Sequence, residues 1–305
     1  MYQLLPAKDA SRSTLPDSPH KRSPPAEKRC PSTRCAVAGG VNTRPWLLHT
    51  TIAPSPAAGP PETFTGTARL ADGSVHYVEQ HRVEWRDGRP LASFTRYRDA
   101  GGQIFGEMDS RFPADSPAPY TPAYRFEDRR LGRSDALDIR GDKAETRAIA
   151  GDGSPEKRGD FALAPDMVSG QGLHFLLRAR LDAFIADPGF VLQARLLVPL
   201  DEAVYPLRVR RLAFDGAQLV LRIEIDQWLY RLFAPHMDIA YDVPSRRLVW
   251  YEGPTHILDA QRGVRSVRID YRYGSDAATA APTAAGGSQP ASGRATSMAS
   301  GRWSE

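Results

Sequence analysis

From Phe64 onward the chain alternates apolar and polar positions with a period of two, the signature of strands with one buried face. The clearest stretch is Val75 to Trp85. Tyr77, Glu79, His81, Val83 and Trp85 share one face, and His76, Val78, Gln80, Arg82 and Glu84 share the other. Asp87-Gly88 follows, a dipeptide that suits a two-residue hairpin turn. Leu91 to Arg98 then reads as the returning strand, Asp99 to Gly102 as a turn, and Gln103 to Phe112 as a third strand. A proline-rich loop over residues 113–122 separates this meander from short strands expected at Ala123–Asp128, Asp135–Arg140 and Glu145–Ile149.

The period then changes. Leu173, Leu176, Leu177, Leu181, Phe184 and Ile185 recur at three- and four-residue spacing and predict one amphipathic helix over Gly172 to Asp187. Arg178 and Asp182 lie off its apolar stripe, Ser169 is placed to cap its start, and Asp187-Pro188-Gly189 stops it. Alternation resumes at Phe190–Pro199, Tyr205–Phe214 and Gln218–Ile225. It returns at His236–Asp242 and Arg246–Glu252, and in the final run Val267 to Tyr273. Between them Gln227 to Phe233 reads as a helical turn. The order is meander, helix, meander, which predicts an α+β domain built on an antiparallel sheet.

Composition sets the expected limits of that domain. Residues 62–273 hold 24 of the 27 aromatic residues, whereas residues 1–61 hold eleven of the 26 prolines and only Tyr2 and Trp46 as aromatics. Residues 1–61 and 274–305 are therefore expected to be disordered tails, with too little apolar surface to offset chain entropy. The formal charge of +4 belongs to the N-terminal segment, which has eight Lys and Arg against three Asp and Glu. The middle has 30 against 31. A neutral domain argues against nucleic-acid binding, which wants basic residues gathered on one face. Both cysteines, Cys30 and Cys35, fall before the domain, which excludes a disulfide framework or a cysteine nucleophile within it. No apolar run is long enough for a transmembrane helix. Residues 42–59 read either as a degraded export signal, its apolar stretch interrupted by His49, Thr50 and Thr51, or as plain tail.

The segments Arg222 to Pro235, Ile239 to Asp242, Arg247 to Gly253 and Val267 to Tyr271, with Phe64 to Ala68 and Tyr77 to His81, resemble uncharacterised proteobacterial proteins, many of them exported. Those proteins look similar in architecture to periplasmic lipoprotein carriers. The resemblance implies a curved antiparallel half-barrel wrapped on one main helix, able to hold acyl chains, and a periplasmic location. A cytoplasmic location is the alternative, since no clear signal peptide is present. No catalytic residue comes with the resemblance.

Three constellations carry candidate chemistry. Glu79 beside His81 could charge and orient the imidazole for proton transfer, or both could simply pair across the sheet. His174, with Asp166 before it and Gly170-Gln171-Gly172 between them, could mark an anion-accepting helix start, or merely a capped helix. Trp228, Tyr230 and Phe233, with Phe184, could line the mouth of an apolar cavity, or fill core. His76, His236 and His256 stand isolated, so neither a metal nor a cofactor is expected. The expected function is non-catalytic binding of a lipid or other apolar small molecule in the bacterial envelope. The alternatives are a cofactor-free enzyme using the His/Glu pair and a structural envelope-assembly partner.

Overall fold

The computed structural model describes residues 60–227 and 235–274. Eight strands come first: β1 (Glu62–Arg69), β2 (Val75–Arg86), β3 (Arg89–Arg98), β4 (Ile104–Arg111), β5 (Ala123–Asp128), β6 (Arg133–Arg140), β7 (Lys143–Ile149) and β8 (Lys157–Ala162). A two-residue β9 (Met167–Val168) leads to helices α1 (Gly172–Ala179) and α2 (Leu181–Ala186). Then come β10 (Val191–Val198), β11 (Ala203–Phe214), β12 (Gln218–Ile225), β13 (Met237–Asp242), β14 (Arg247–Pro254) and β15 (Ser266–Tyr273). Among the described residues all fifteen strands join one sheet, in the order β8-β7-β6-β5-β4-β3-β2-β1-β15-β14-β13-β12-β11-β10-β9.

Strands adjacent in sequence are adjacent in the sheet except β8 and β9, which lie at its two ends, and the first and last strands, β1 and β15, pair with each other. Only the β9–β10 pair is parallel. Local chemistry sets the hairpins. Asp87 and Gly88 both have positive φ, 50° and 74°, as a primed turn requires, and β2 and β3 pair directly around them. The sheet curves strongly. Lys157 Nζ, at the β8 edge, donates to Leu200 O just after β10 (2.8 Å), and Tyr120 bridges to Val168.

The segment between β14 and β15 fills the interior. Ile257 is fully buried and Leu258 nearly so. A buried loop must find partners for its carbonyls, and arginines supply them here. Arg133 Nη1 donates to His256 O (2.7 Å) and Arg130 Nη2 to Leu258 O (3.2 Å). Arg262, from the same segment, donates outward to Leu131 O and Ala150 O (2.8 Å each) and to Gly151 O.

The structure departs from the sequence reading in three places. The single helix is two short ones, broken at Arg180, whose φ of −110° and ψ of 6° leave the helical region. Leu173, Leu176 and Leu177 on α1 and Leu181 and Phe184 on α2 still enter one buried cluster, so packing against the sheet outweighs the continuous 3.6-residue period. Ser169 does not cap α1. Its hydroxyl donates to Leu197 O (2.9 Å), and Gln171 occupies the N-cap without a side-chain capping bond. Strands β8 and β9 were not anticipated: Lys157-Arg-Gly-Asp-Phe-Ala162 has no apolar alternation to betray it, and β9 is too short to show a period.

Candidate functional site

β2 sends Tyr77, Glu79 and His81 inward, as the alternation predicts. Their surroundings come from elements far away in sequence. Glu79 and Tyr271 both stand opposite Gly66 in β1, one on each side. Because Gly66 has no side chain, the Tyr271 hydroxyl reaches across it and donates to Glu79 Oε1 (2.7 Å). A Cβ at that position would lie 2.7 Å from Tyr271 Cε1 and 2.9 Å from Glu79 Oε1, closer than atoms pack. A glycine inside a strand commonly marks such a close approach.

His81 Nε2 stands 3.1 Å from the same Oε1. That is ion-pairing distance, although the ring nitrogen does not aim at the oxygen as a linear hydrogen bond would need. The other nitrogen, Nδ1, is hydrogen-bonded to Thr95 Oγ1 on β3 (2.9 Å), with the Gln171 side-chain amide 3.4 Å away. Gln171, at the start of α1, also bonds the side chains of Ser93 and Thr95. The Phe64 ring stacks on the imidazole with centroids 4.4 Å apart. Burial pushes the Glu79 carboxyl up, but the imidazole and the Tyr271 hydroxyl beside it pull the other way and prevail, so it sits below the ordinary carboxylate range. Tyr271 is raised well above a normal phenol, first by burial and then by the Glu79 charge.

These groups face an interior cavity of about 150 Å³. Its apolar wall includes Ile223, Ile239, Leu248, Ile269 and Leu177. His174 borders it from α1. Its Nδ1 shares a hydrogen bond with Tyr241 Oη (2.9 Å), and burial pushes it down to about 3, so it is neutral at physiological pH. His256, in the inserted segment, borders it too. Its ring lies edge-on to Tyr97 and Phe126, and burial likewise holds it well below its usual value.

The structure thus brings Glu79, His81 and His174 to one cavity, and adds His256, which looked isolated in sequence. Asp166 is elsewhere, in a bidentate pair with Arg195. Phe184 packs against Phe190 (5.0 Å between centroids) and does not line the cavity. Trp228, Tyr230 and Phe233 lie outside the described residues. Gly172 serves packing: a Cβ there would fall 1.7 Å from Tyr120 O. The sequence reading missed Gly66, Thr95, Tyr251 and Tyr271, and placed Gln171 only as part of the helix start. Of these only Gly66, interrupting a strand pattern, left a local signal. Among the described residues no group of His, Cys, Asp and Glu is arranged to hold a metal ion, and no helix is long and apolar enough to cross a membrane.

No protein-family model and no curated protein matches the chain. Among solved structures it is similar to a β-barrel-like protein of a domain of unknown function, DUF1849, from Brucella abortus, at 11% identity and a TM-score of 0.33, over 70% of this chain and 94% of that one.

Proposed function

We propose that the protein is a non-catalytic binding protein that takes a compact, mainly apolar ligand into the interior cavity between the curved sheet, α1 and the segment joining β14 to β15. The observation that carries this reading is the cavity itself, lined by aliphatic and aromatic side chains with a small polar cluster at one side. Ligand sites are built this way, with an apolar wall for affinity and a few polar groups for orientation. A cavity of about 150 Å³ is the size that admits benzene in an engineered apolar core. This favours a ring or short chain over a long acyl chain. A location in the bacterial envelope remains part of the proposal on the strength of the resemblance alone.

Acid–base catalysis by Glu79 and His81 is the second reading, favoured by their 3.1 Å contact. Against it, Nδ1 is held by Thr95 Oγ1 and Nε2 does not aim at the Glu79 carboxylate, so no aligned hydrogen bond carries a proton between the pair.

Thermal melting against a panel of small ring and short-chain compounds tests the binding reading. A binder of the native state raises the melting temperature by mass action, and Leu248→Phe, which fills the cavity, should abolish the rise. If no compound stabilises the protein and native mass spectrometry of freshly purified material shows no co-purified small molecule, the reading fails.

A further inference from the structure

We propose that the ligand of this cavity is a small organic cation, a protonated amine or a quaternary ammonium, seated against the Glu79 carboxylate among aromatic rings. The inference rests on the interior-binding reading and adds the chemical class. Its first support is charge. Glu79 is 5% exposed and is the only carboxylate that lines the cavity, with no Asp, Lys or Arg beside it there. Removing a carboxylate from water is costly unless it is paired, so a cationic guest beside it is favoured. Burial keeps two of the neighbouring imidazoles, those of His174 and His256, neutral. The third, His81, approaches at 3.1 Å but off the line of a good hydrogen bond.

The second support is which oxygen is used. Both His81 and Tyr271 approach Oε1, and among the described residues Oε2 receives no hydrogen bond. One oxygen of an ionised, buried carboxylate is thus left for a guest.

The third is the wall. Tyr77, Tyr97, Tyr251 and Tyr271 all line the cavity, as does Phe64, whose ring is stacked against His81 and Tyr273. Three of the phenol hydroxyls are tied to protein groups: Tyr77 to Thr255 Oγ1 (2.9 Å), Tyr251 to Pro254 O (2.6 Å) and Tyr271 to Glu79. What these tyrosines offer a guest is ring surface, whose negative face attracts a cation stripped of water. The aliphatic side chains opposite suit the methyl groups of a substituted ammonium.

Titration calorimetry with choline and with its uncharged carbon isostere, dimethylbutanol, tests the proposal on the full chain. The pair have nearly the same shape and differ in the charge at one atom. Choline should bind tighter than the isostere by on the order of tenfold or more. Glu79→Gln should erase that preference, and Tyr251→Leu, which leaves the carboxylate in place, should reduce it. The wild-type comparison needs no variant to fold. Equal or tighter binding of dimethylbutanol would overturn the cation inference and leave the interior-binding reading standing. Binding of neither would overturn the inference as well, and the binding reading would fall with it only if the small apolar panel also failed.

Discussion

Two walls of the same sheet contrast. On β11 and β12 the inward positions are Leu207, Val209, Leu219, Leu221, Ile223 and Ile225, all apolar and nearly inaccessible. On β2, β3 and β4 the inward positions mix Tyr77, Val83, Tyr97 and Met108 with Glu79, Ser93, Thr95 and Ser110, which are buried just as deeply. The first wall needs only fit, because each apolar surface contributes about 25 cal/mol per Å² wherever it is packed. The second wall needs partners, because an unmet buried polar group costs about 1–3 kcal/mol. Glu79, His81, Thr95, Ser93 and Gln171 meet most of that need jointly, through bonds that reach α1 and β15, and leave His81 Nε2 and Ser110 Oγ without a hydrogen bond. The polar wall is the more demanding to build, and the cavity opens against it.

The largest effect should come from breaking the apolar wall. Leu221→Ala removes a fully buried side chain and should cost about 2–5 kcal/mol in urea denaturation. A cost near zero would mean that β12 does not face the core. The polar wall should break more gently but more specifically. Gly66→Ala forces a methyl group between Glu79 and Tyr271, for about 1–3 kcal/mol of overpacking. It should also abolish ligand stabilisation even in molecules that remain folded. Retained ligand response in Gly66→Ala would separate the Glu79–Tyr271 contact from the site.

The pH dependence sharpens the contrast, since the apolar wall does not titrate. His174 has its folded pKa pushed down to about 3, against an ordinary 6.5. Between those values the unfolded chain binds a proton that the folded one refuses. Stability therefore falls as pH is lowered from 6.5 toward 3. His174→Phe should lose less stability over that window, with the remaining slope owed in part to His256, which shifts in the same direction. Identical slopes in chemical denaturation at pH 7, 5 and 4 would show that His174 is not buried neutral. The smallest effect belongs to neither wall. Asp182 pairs with Arg246 on the surface, so Asp182→Ala should change stability by no more than about 0.5 kcal/mol.

The apolar wall and the hairpins were legible in the sequence because their rules are local. Alternation marks which residues of Gln218–Ile225 face inward, and Asp87-Gly88 marks its turn without reference to anything distant. The helix was legible as an apolar stripe, but its break at Arg180 was not, since the break answers to the sheet beneath it. The site was legible only in halves. Glu79 and His81 sit two residues apart and announce themselves. Tyr271 is 192 residues from Glu79, and its place depends on the register of β1 against β15, which no periodicity encodes. Gln171 read as part of a helix start, yet its side chain turns to β3.

The position of β1 between β2 and β15 governs how the molecule can be made. β2 is available to β1 as soon as the first hairpin forms, but the other edge of β1 stays bare until residues 266–273 leave the ribosome. An open strand edge invites pairing with other chains, so this interval is the one in which the nascent protein is most exposed to aggregation. Closing a ladder between segments so far apart is also intrinsically slow. Tyr271 arrives on that last strand, so Glu79 gains its partner only when the sheet is complete. Ligand binding can then serve as a readout of finished folding, silent in every shorter chain.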